Sequence, residues 1–440
     1  MVPVKTSPRD EMVQVKTSPR DEMVQVKTSP RDEMVQVKTS PRDEMVQMKT
    51  SPGDEMVQVK TSPRDEVVQV KTSPRDEMVQ VKTSPRDEMV PVKTSPSDSS
   101  SATAADITGL GGGGAFSYLL TASGDLLTCG NNAQGQTAQA SRTRSCVFSL
   151  SSQLSNFRLV KVSAGWDYML ALTDQGLILS WGSNTFGQLG RPAGGSDMPE
   201  KIQDLADERH VDIAAGLRHA LSLTDTGHVY TWGHGRRGQL GLGLDNKLIL
   251  SSHKPIAVKF PQGQIPTHVS AGQYCSGFCT GTGQVYMWGC NKFGQCHVSP
   301  AEQTLVAMAT RVSCTLAEQK RFVDISCGWS HIVVKTDEGD LYSWGRGDLG
   351  QLGRACDQMY EHILAKIDGI PSIRFHTCGS EHTLAVAANG AAYSWGWNEH
   401  GICGTGNEHN VFYPYKLPFS NKVTQVGCGA GHSFCLVMES

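Results

Sequence analysis

The chain lacks an excess of charge of either sign. Its 440 residues carry 40 Lys and Arg against 43 Asp and Glu, for a net charge of −3. A dominant nucleic-acid footprint needs a clear basic excess, and a polybasic anchor needs clustered cations. No nucleic-acid partner is therefore expected. The chain also lacks any apolar run of about 18 residues, so no membrane span is expected. No apolar leader follows Met1, so no secretory signal is expected either. The 13 cysteines are odd in number and scattered. Reduced thiols are the expectation, which suits the cytoplasm and nucleus.

Familiar chemistry is missing too. No Ser/His/Asp or Cys/His set stands out, so no catalytic residue and no cofactor are assigned. Gly111–Gly114 could suggest a phosphate loop, but no Lys-Ser/Thr follows it, which rejects that reading. Cys275, Cys279, Cys290 and Cys296-His297 cluster in one stretch. Their spacing is not that of paired Cys-x-x-Cys zinc knuckles, so no metal is expected.

What is present divides at about residue 100. Residues 1–99 are nine copies of an 11-residue unit, Met-Val-Gln-Val-Lys-Thr-Ser-Pro-Arg-Asp-Glu. An 11-residue apolar period can drive a helical supercoil, but the Pro of every unit opposes a helix. Each unit offers only Met and two Val to bury, too little to offset roughly 1–2 kcal/mol per residue of ordering entropy. The expectation is a low-complexity disordered tail over 1–99, net-neutral with 16 basic and 17 acidic side chains, then a linker over 100–106. The Thr-Ser-Pro-Arg steps could serve a proline-directed kinase; a recently expanded tail with no selected role is the simpler reading.

From Ile107 the chain repeats at a longer period. Gly113, Gly165, Gly216, Gly272, Gly328, Gly379 and Gly429 open successive Gly-x-x-His-like turns. Eleven residues after the first six stands a second glycine, at Gly124, Gly176, Gly227, Gly283, Gly339 and Gly390. Five residues further come Cys129, Trp181, Trp232, Trp288, Trp344 and Trp395, each followed by Gly, and then Gly-Gln-Leu-Gly or a variant. Within a unit, Val211–Ala214, Ala220–Leu223 and Val229–Trp232 read as short strands, Asp225-Thr226-Gly227 as a hairpin turn, and Pro255–Lys259 as a fourth strand. Four strands per roughly 50 residues in tandem predict an all-β propeller over 107–440; an open solenoid of the same units is the other architecture. The repeated tryptophans are expected in the core, and His219, His331, His382 and His432 as structural imidazoles. The seventh unit holds Val423–Val426 and His432–Val437 but no Trp-Gly strand. Its last blade is incomplete, and low stability is expected there.

These motifs resemble the regulator of chromosome condensation family of seven-bladed propellers. Gly165-Trp166-Asp167, Ala215–His219 and Ser394–Gly401 are similar to its secretion-regulating exchange-factor branch. The resemblance implies a guanine nucleotide exchange factor or regulator that binds a small GTPase on one face of the ring, plausibly in secretion. A non-catalytic protein-interaction scaffold is the alternative. In the founding exchange factor for the Ran GTPase, acidic and histidine residues just before the repeat histidine line the partner face. The equivalent positions are Ala115, Asp167, Arg218, Tyr274, Ser330, Glu381 and Gly431. The expected contacts are Asp167, Glu381, Arg218 and Tyr274, with Trp166 and Trp329 as exposed anchors. That factor also uses a wedge inserted within one Trp-Gly…Gly repeat. Trp181–Gly190, Trp232–Gly241 and Trp344–Gly353 share one length and carry no insertion, so exchange on Ran by that device is not expected.

Overall fold

The structure is a computed structural model that describes residues 107–192, 198–243, 248–313, 315–356 and 358–438. Before Ile107 it describes only the backbone of six short strands. The chain divides into Met1–Pro74 and Arg75–Ser440. In the first unit, Glu11–Val15, Val24–Ser29, Asp32–Val37 and Val46–Lys49 pair in order as one antiparallel sheet. In the second, Val79–Val81 pairs with Val90–Val92. The disorder expected over 1–99 otherwise falls outside the described residues.

From Ile107 onward the 50-residue period becomes six four-stranded antiparallel sheets and one two-stranded sheet. Blade 5 shows the plan. Phe322–Cys327 runs up the central axis, His331–Thr336 comes down, Leu341–Arg346 goes up, and Tyr360–Lys366 descends at the rim. The Gly-x-x-His turns and Trp-Gly loops therefore share one face, called upper here, and the second-glycine turns share the lower face. The second strand of a blade is covered on both sides by its neighbours. Tyr168–Thr173, His219–Thr224, Cys275–Thr280 and His382–Ala387 are buried at every position, which is why those stretches read as apolar runs rather than alternating patterns.

The fourth strand of blade 3 spans Ser251–Ala257 rather than Pro255–Lys259. Val258 ends it by donating its N–H to the Val229 carbonyl at 2.8 Å and burying its side chain, which leaves Lys259 exposed beyond the strand.

The repeated tryptophans are fully buried. Each donates its indole N–H to the carbonyl of the Gln position in the preceding blade: Trp181 to Gln136, Trp232 to Gln188, Trp288 to Gln239, Trp344 to Gln295 and Trp395 to Gln351, all at 2.8–3.0 Å. The Gly-Gln-Leu-Gly loop is thus a socket for the next blade. Its glycines turn with positive φ, +86° at Gly350 and +65° at Gly353, a conformation that costs other residues energy. The repeat histidines are inter-blade clasps, as expected. His219 meets Ser276 at 2.8 Å, His331 meets Thr383 at 3.0 Å and His382 meets Ser433 at 3.1 Å.

The ring closes through the half blade. Val423–Cys428 pairs with Ser433–Val437, and Val423 and Val426 share a core with Leu384, Val386, Ala392 and Leu417 of blade 6. On its other side the Ala430 N–H donates to the Gly113 carbonyl at 3.0 Å, Gln425 Nε2 to the Ile107 carbonyl at 3.0 Å, and His432 Nε2 meets Ser117 Oγ at 3.2 Å. The Gly111–Gly114 run belongs to this seam. A Cβ on Gly112 would collide with His432 of the half blade, while one on Gly114 would enter the indole of Trp166 on the other side, in blade 2.

Candidate functional site

The upper face is built in two concentric rings. At the axis lie the residues that follow each inner-strand glycine, linked by backbone bonds from blade to blade. Gly114 N–H donates to the Trp166 carbonyl at 2.9 Å, Trp166 to Leu217 at 3.2 Å, Leu217 to Gly272 at 3.1 Å, and Trp329 to Ser380 at 2.7 Å. Trp166 and Trp329 stand three blades apart in the chain, yet their ring centroids are 5.9 Å apart at an interplanar angle of 49°. They meet across the axis over a shallow funnel, open to solvent, whose wall includes Cys327, Cys378 and Cys428. Trp166 is 39 % exposed, a large apolar side chain at the centre of a face.

One residue outward stand Asp167, Arg218, Tyr274, Ser330 and Glu381. Asp167 is half-buried beside Ser183, Arg218 and Gln188. Burial raises its carboxyl above the usual carboxylate range, against the pull of Ser183 and then Arg218. One of its oxygens, Oδ1, is buried without a hydrogen-bond partner. Arg218 lies over the Phe186 ring at 4.5 Å from the centroid. Tyr274 packs by His234 at 6.3 Å between centroids, and Gln239 Nε2 meets His234 Nδ1 at 2.9 Å.

Glu381 differs from Asp167 in being fully engaged. Its Oε2 accepts from Ser330 Oγ at 2.5 Å and Gln351 Nε2 at 2.8 Å, and its Oε1 is 3.9 Å from Arg346. Burial raises this carboxyl too. The face therefore brings Asp167, Arg218 and Tyr274 into one arc over blades 2 to 4, and Trp166 and Trp329 into one axial pair. Glu381 belongs to a separate cluster on blades 5 and 6. Phe186, His234, Phe293 and Arg346 were not singled out from sequence. They sit at the variable positions of the Trp-Gly loops, and only the register of the loops against the turns makes them neighbours of the turn residues.

Among the described residues no group of three or more His, Cys, Asp and Glu is arranged to hold a metal. Cys275, Cys279 and Cys296 are buried core side chains; burial pushes the Cys279 and Cys296 thiols well up. No helix among the described residues is long and apolar enough to cross a membrane.

A ring of Trp-socketed blades, closed by a two-stranded unit and presenting turn residues on one face, defines a propeller of the RCC1 type. The chain belongs to the RCC1-like domain family, whose pattern matches residues 77–435. It is similar to the secretion-regulating guanine nucleotide exchange factor of Mus musculus, at 35 % identity over 77 % of this chain and 77 % of that protein. The Bos taurus protein of the same name is 36 % identical over 74 % of each chain. Among solved structures, Prp20p of Saccharomyces cerevisiae superposes with a TM-score of 0.67 at 24 % identity, covering 76 % of this chain and 84 % of that one. The propeller and its family are thus as the sequence motifs implied.

Proposed function

We propose that this protein binds a small GTPase through its upper face and acts as a guanine nucleotide exchange factor or regulator, in secretion. The observation that carries the reading is the half-buried Asp167 carboxylate set beside Arg218 and the exposed Trp166 on that face. The relatives named secretion-regulating guanine nucleotide exchange factors support it, as does the Prp20p structure, whose description concerns binding to Gsp1p and histones. Exchange needs no catalytic triad. A propeller that binds the nucleotide-free GTPase more tightly than the loaded form displaces nucleotide by that difference in affinity. Asp167 would compete for the partner's phosphate-binding lysine or disturb its Mg²⁺ site. Trp166 and Trp329 would anchor the contact centre, Arg218 and Tyr274 would extend it over blades 3 and 4, and Glu381 with Arg346 would fix its far edge. The proposal includes action in the cytoplasm and nucleus, where unpaired thiols such as the free cysteines here persist.

The second reading is a non-catalytic scaffold, favoured by Trp-Gly loops of uniform length that carry no wedge. Nucleotide release measured across a panel of small GTPases separates the two. The exchange reading expects accelerated release from at least one of them, slowed roughly tenfold by Asp167→Ala, a loss of about 1.4 kcal/mol. Stable binding to a GTPase with unchanged release would establish the scaffold instead.

A further inference from the structure

We propose that the upper face of blades 3 and 4 carries a docking site for an acidic segment of a protein partner, formed by Arg218, Arg236, Arg237 and Lys292. The site rests on its own observations and holds whether or not the partner is a GTPase. Arg236 and Arg237 are exposed in the Trp-Gly loop of blade 3, and Lys292 is exposed in the equivalent loop of blade 4. None of the three makes an ion pair among the described residues, whereas Arg346 at the end of the arc is already bound by Asp348 at 2.6 Å. Asp167 marks one margin of this arc and Asp348 with Glu381 the other, with the exposed Glu302 in the same blade-4 loop as Lys292. The His234 imidazole in the midst of the arc is held below its usual range, first by burial and then by Arg236, Arg218 and Arg237.

The aromatic side chains of the arc hold its cations in place. Phe186 is covered on its face by Arg218 and met at its edge by His234, 5.1 Å between centroids. Phe293 has the Lys292 ammonium and the Arg346 guanidinium each 5.3 Å from its centroid. These rings prop the cations that cover them. Guanidinium forks held this way match carboxylates in bidentate pairs. A few cations on a chain of net charge −3 fit a short Asp- and Glu-rich segment rather than nucleic acid, which calls for a clear basic excess.

The test uses the full chain and a fluorescein-labelled octaglutamate peptide, read by anisotropy at low and moderate salt. The expected result is saturable binding that weakens as salt rises. Arg236→Glu with Arg237→Glu should weaken it roughly tenfold or more. Lys259→Glu with Lys422→Glu, an equal charge change at exposed lower-face lysines, should alter it by less than about twofold. Thermal melting of both double variants checks that each is folded. Equal loss in the two double variants, or no binding by the unmodified chain below about 100 µM, would overturn the proposal. So would an oligo-uridine that binds through Arg236 and Arg237 more tightly than the peptide. The probe contains no GTPase, so a failure here leaves the nucleotide-release reading standing, and the reverse also holds.

Discussion

Blade 5 and the seventh unit begin alike and are held differently. In blade 5, Gly328 opens the turn, His331 clasps Thr383, and Trp344 locks into the carbonyl of Gln295. Four strands result, and each inner strand of the blade is covered on both faces. In the seventh unit, Gly429 opens the same turn and His432 clasps Ser117, but the unit has two strands and no tryptophan. The socket ladder shows the same gap from both sides. Blade 6 has Ile402 where its neighbours have the socket Gln, and blade 1 has Cys129 where others have the donating Trp. A complete blade is fixed mainly by a large buried aromatic in its socket. The half blade is fixed by backbone bonds, a small shared core and close approach at Gly427. The low stability expected for it from sequence thus becomes a question about the seam with blade 1.

That contrast can be broken at three places. The largest effect is expected from Trp344→Ala, which empties a fully buried site and strands the Gln295 carbonyl. The loss should be about 3–5 kcal/mol by denaturant unfolding; a loss below about 1 kcal/mol would mean that the sockets do not hold the ring. Next is Gly427→Ala. A Cβ there would stand 2.3 Å from the Leu110 carbonyl oxygen, so the seam must open, at a cost of about 1–3 kcal/mol. Hydrogen exchange should quicken over Val423–Val437 and stay unchanged over His331–Thr336. Uniform quickening would show instead that the half blade and blade 5 unfold as one unit.

The smallest effect concerns the clasps and depends on pH. Burial holds His331 at about 3 and His432 at about 4, against about 6.5 when unfolded. Above about pH 6.5 both states are neutral and the clasp contributes fully. As the pH falls below that, only the unfolded chain takes up the proton, so stability drops by up to about 1.4 kcal/mol per pH unit per histidine. His432→Gln should cost about 0.5–1.5 kcal/mol at pH 8, and the gap to the unmodified chain should shrink toward pH 5. A gap that widens on acidification would show that His432 is charged in the folded ring.

The layout of the upper face was partly legible before the fold. The family resemblance pointed to Asp167, Arg218, Tyr274 and Glu381, and a shared offset to Trp166 and Trp329, and the fold sets all six on one face because a tandem repeat sends equal offsets to equal places. The loop side chains were not legible. Phe186 and Phe293 read as apolar fill, yet they support Arg218, Lys292 and Arg346 across blade boundaries. Glu381 and Asp167 looked equivalent by offset. Only Glu381 has Ser330, Gln351 and Arg346 around it, partners contributed by the neighbouring blade.

By itself the sequence determined the blade. Glycine spacing, strand alternation and a tryptophan at a fixed step specify four short strands and a socket through local turn geometry and burial. Tertiary structure alone decided how the ring closes and which side chains meet on its face. Closure depends on whether Gly112 and Gly427 let the half blade and blade 1 approach within contact distance. The meeting of Trp166 with Trp329 depends on the diameter of the closed ring. Both are distances between residues far apart in the chain, and no local pattern encodes them.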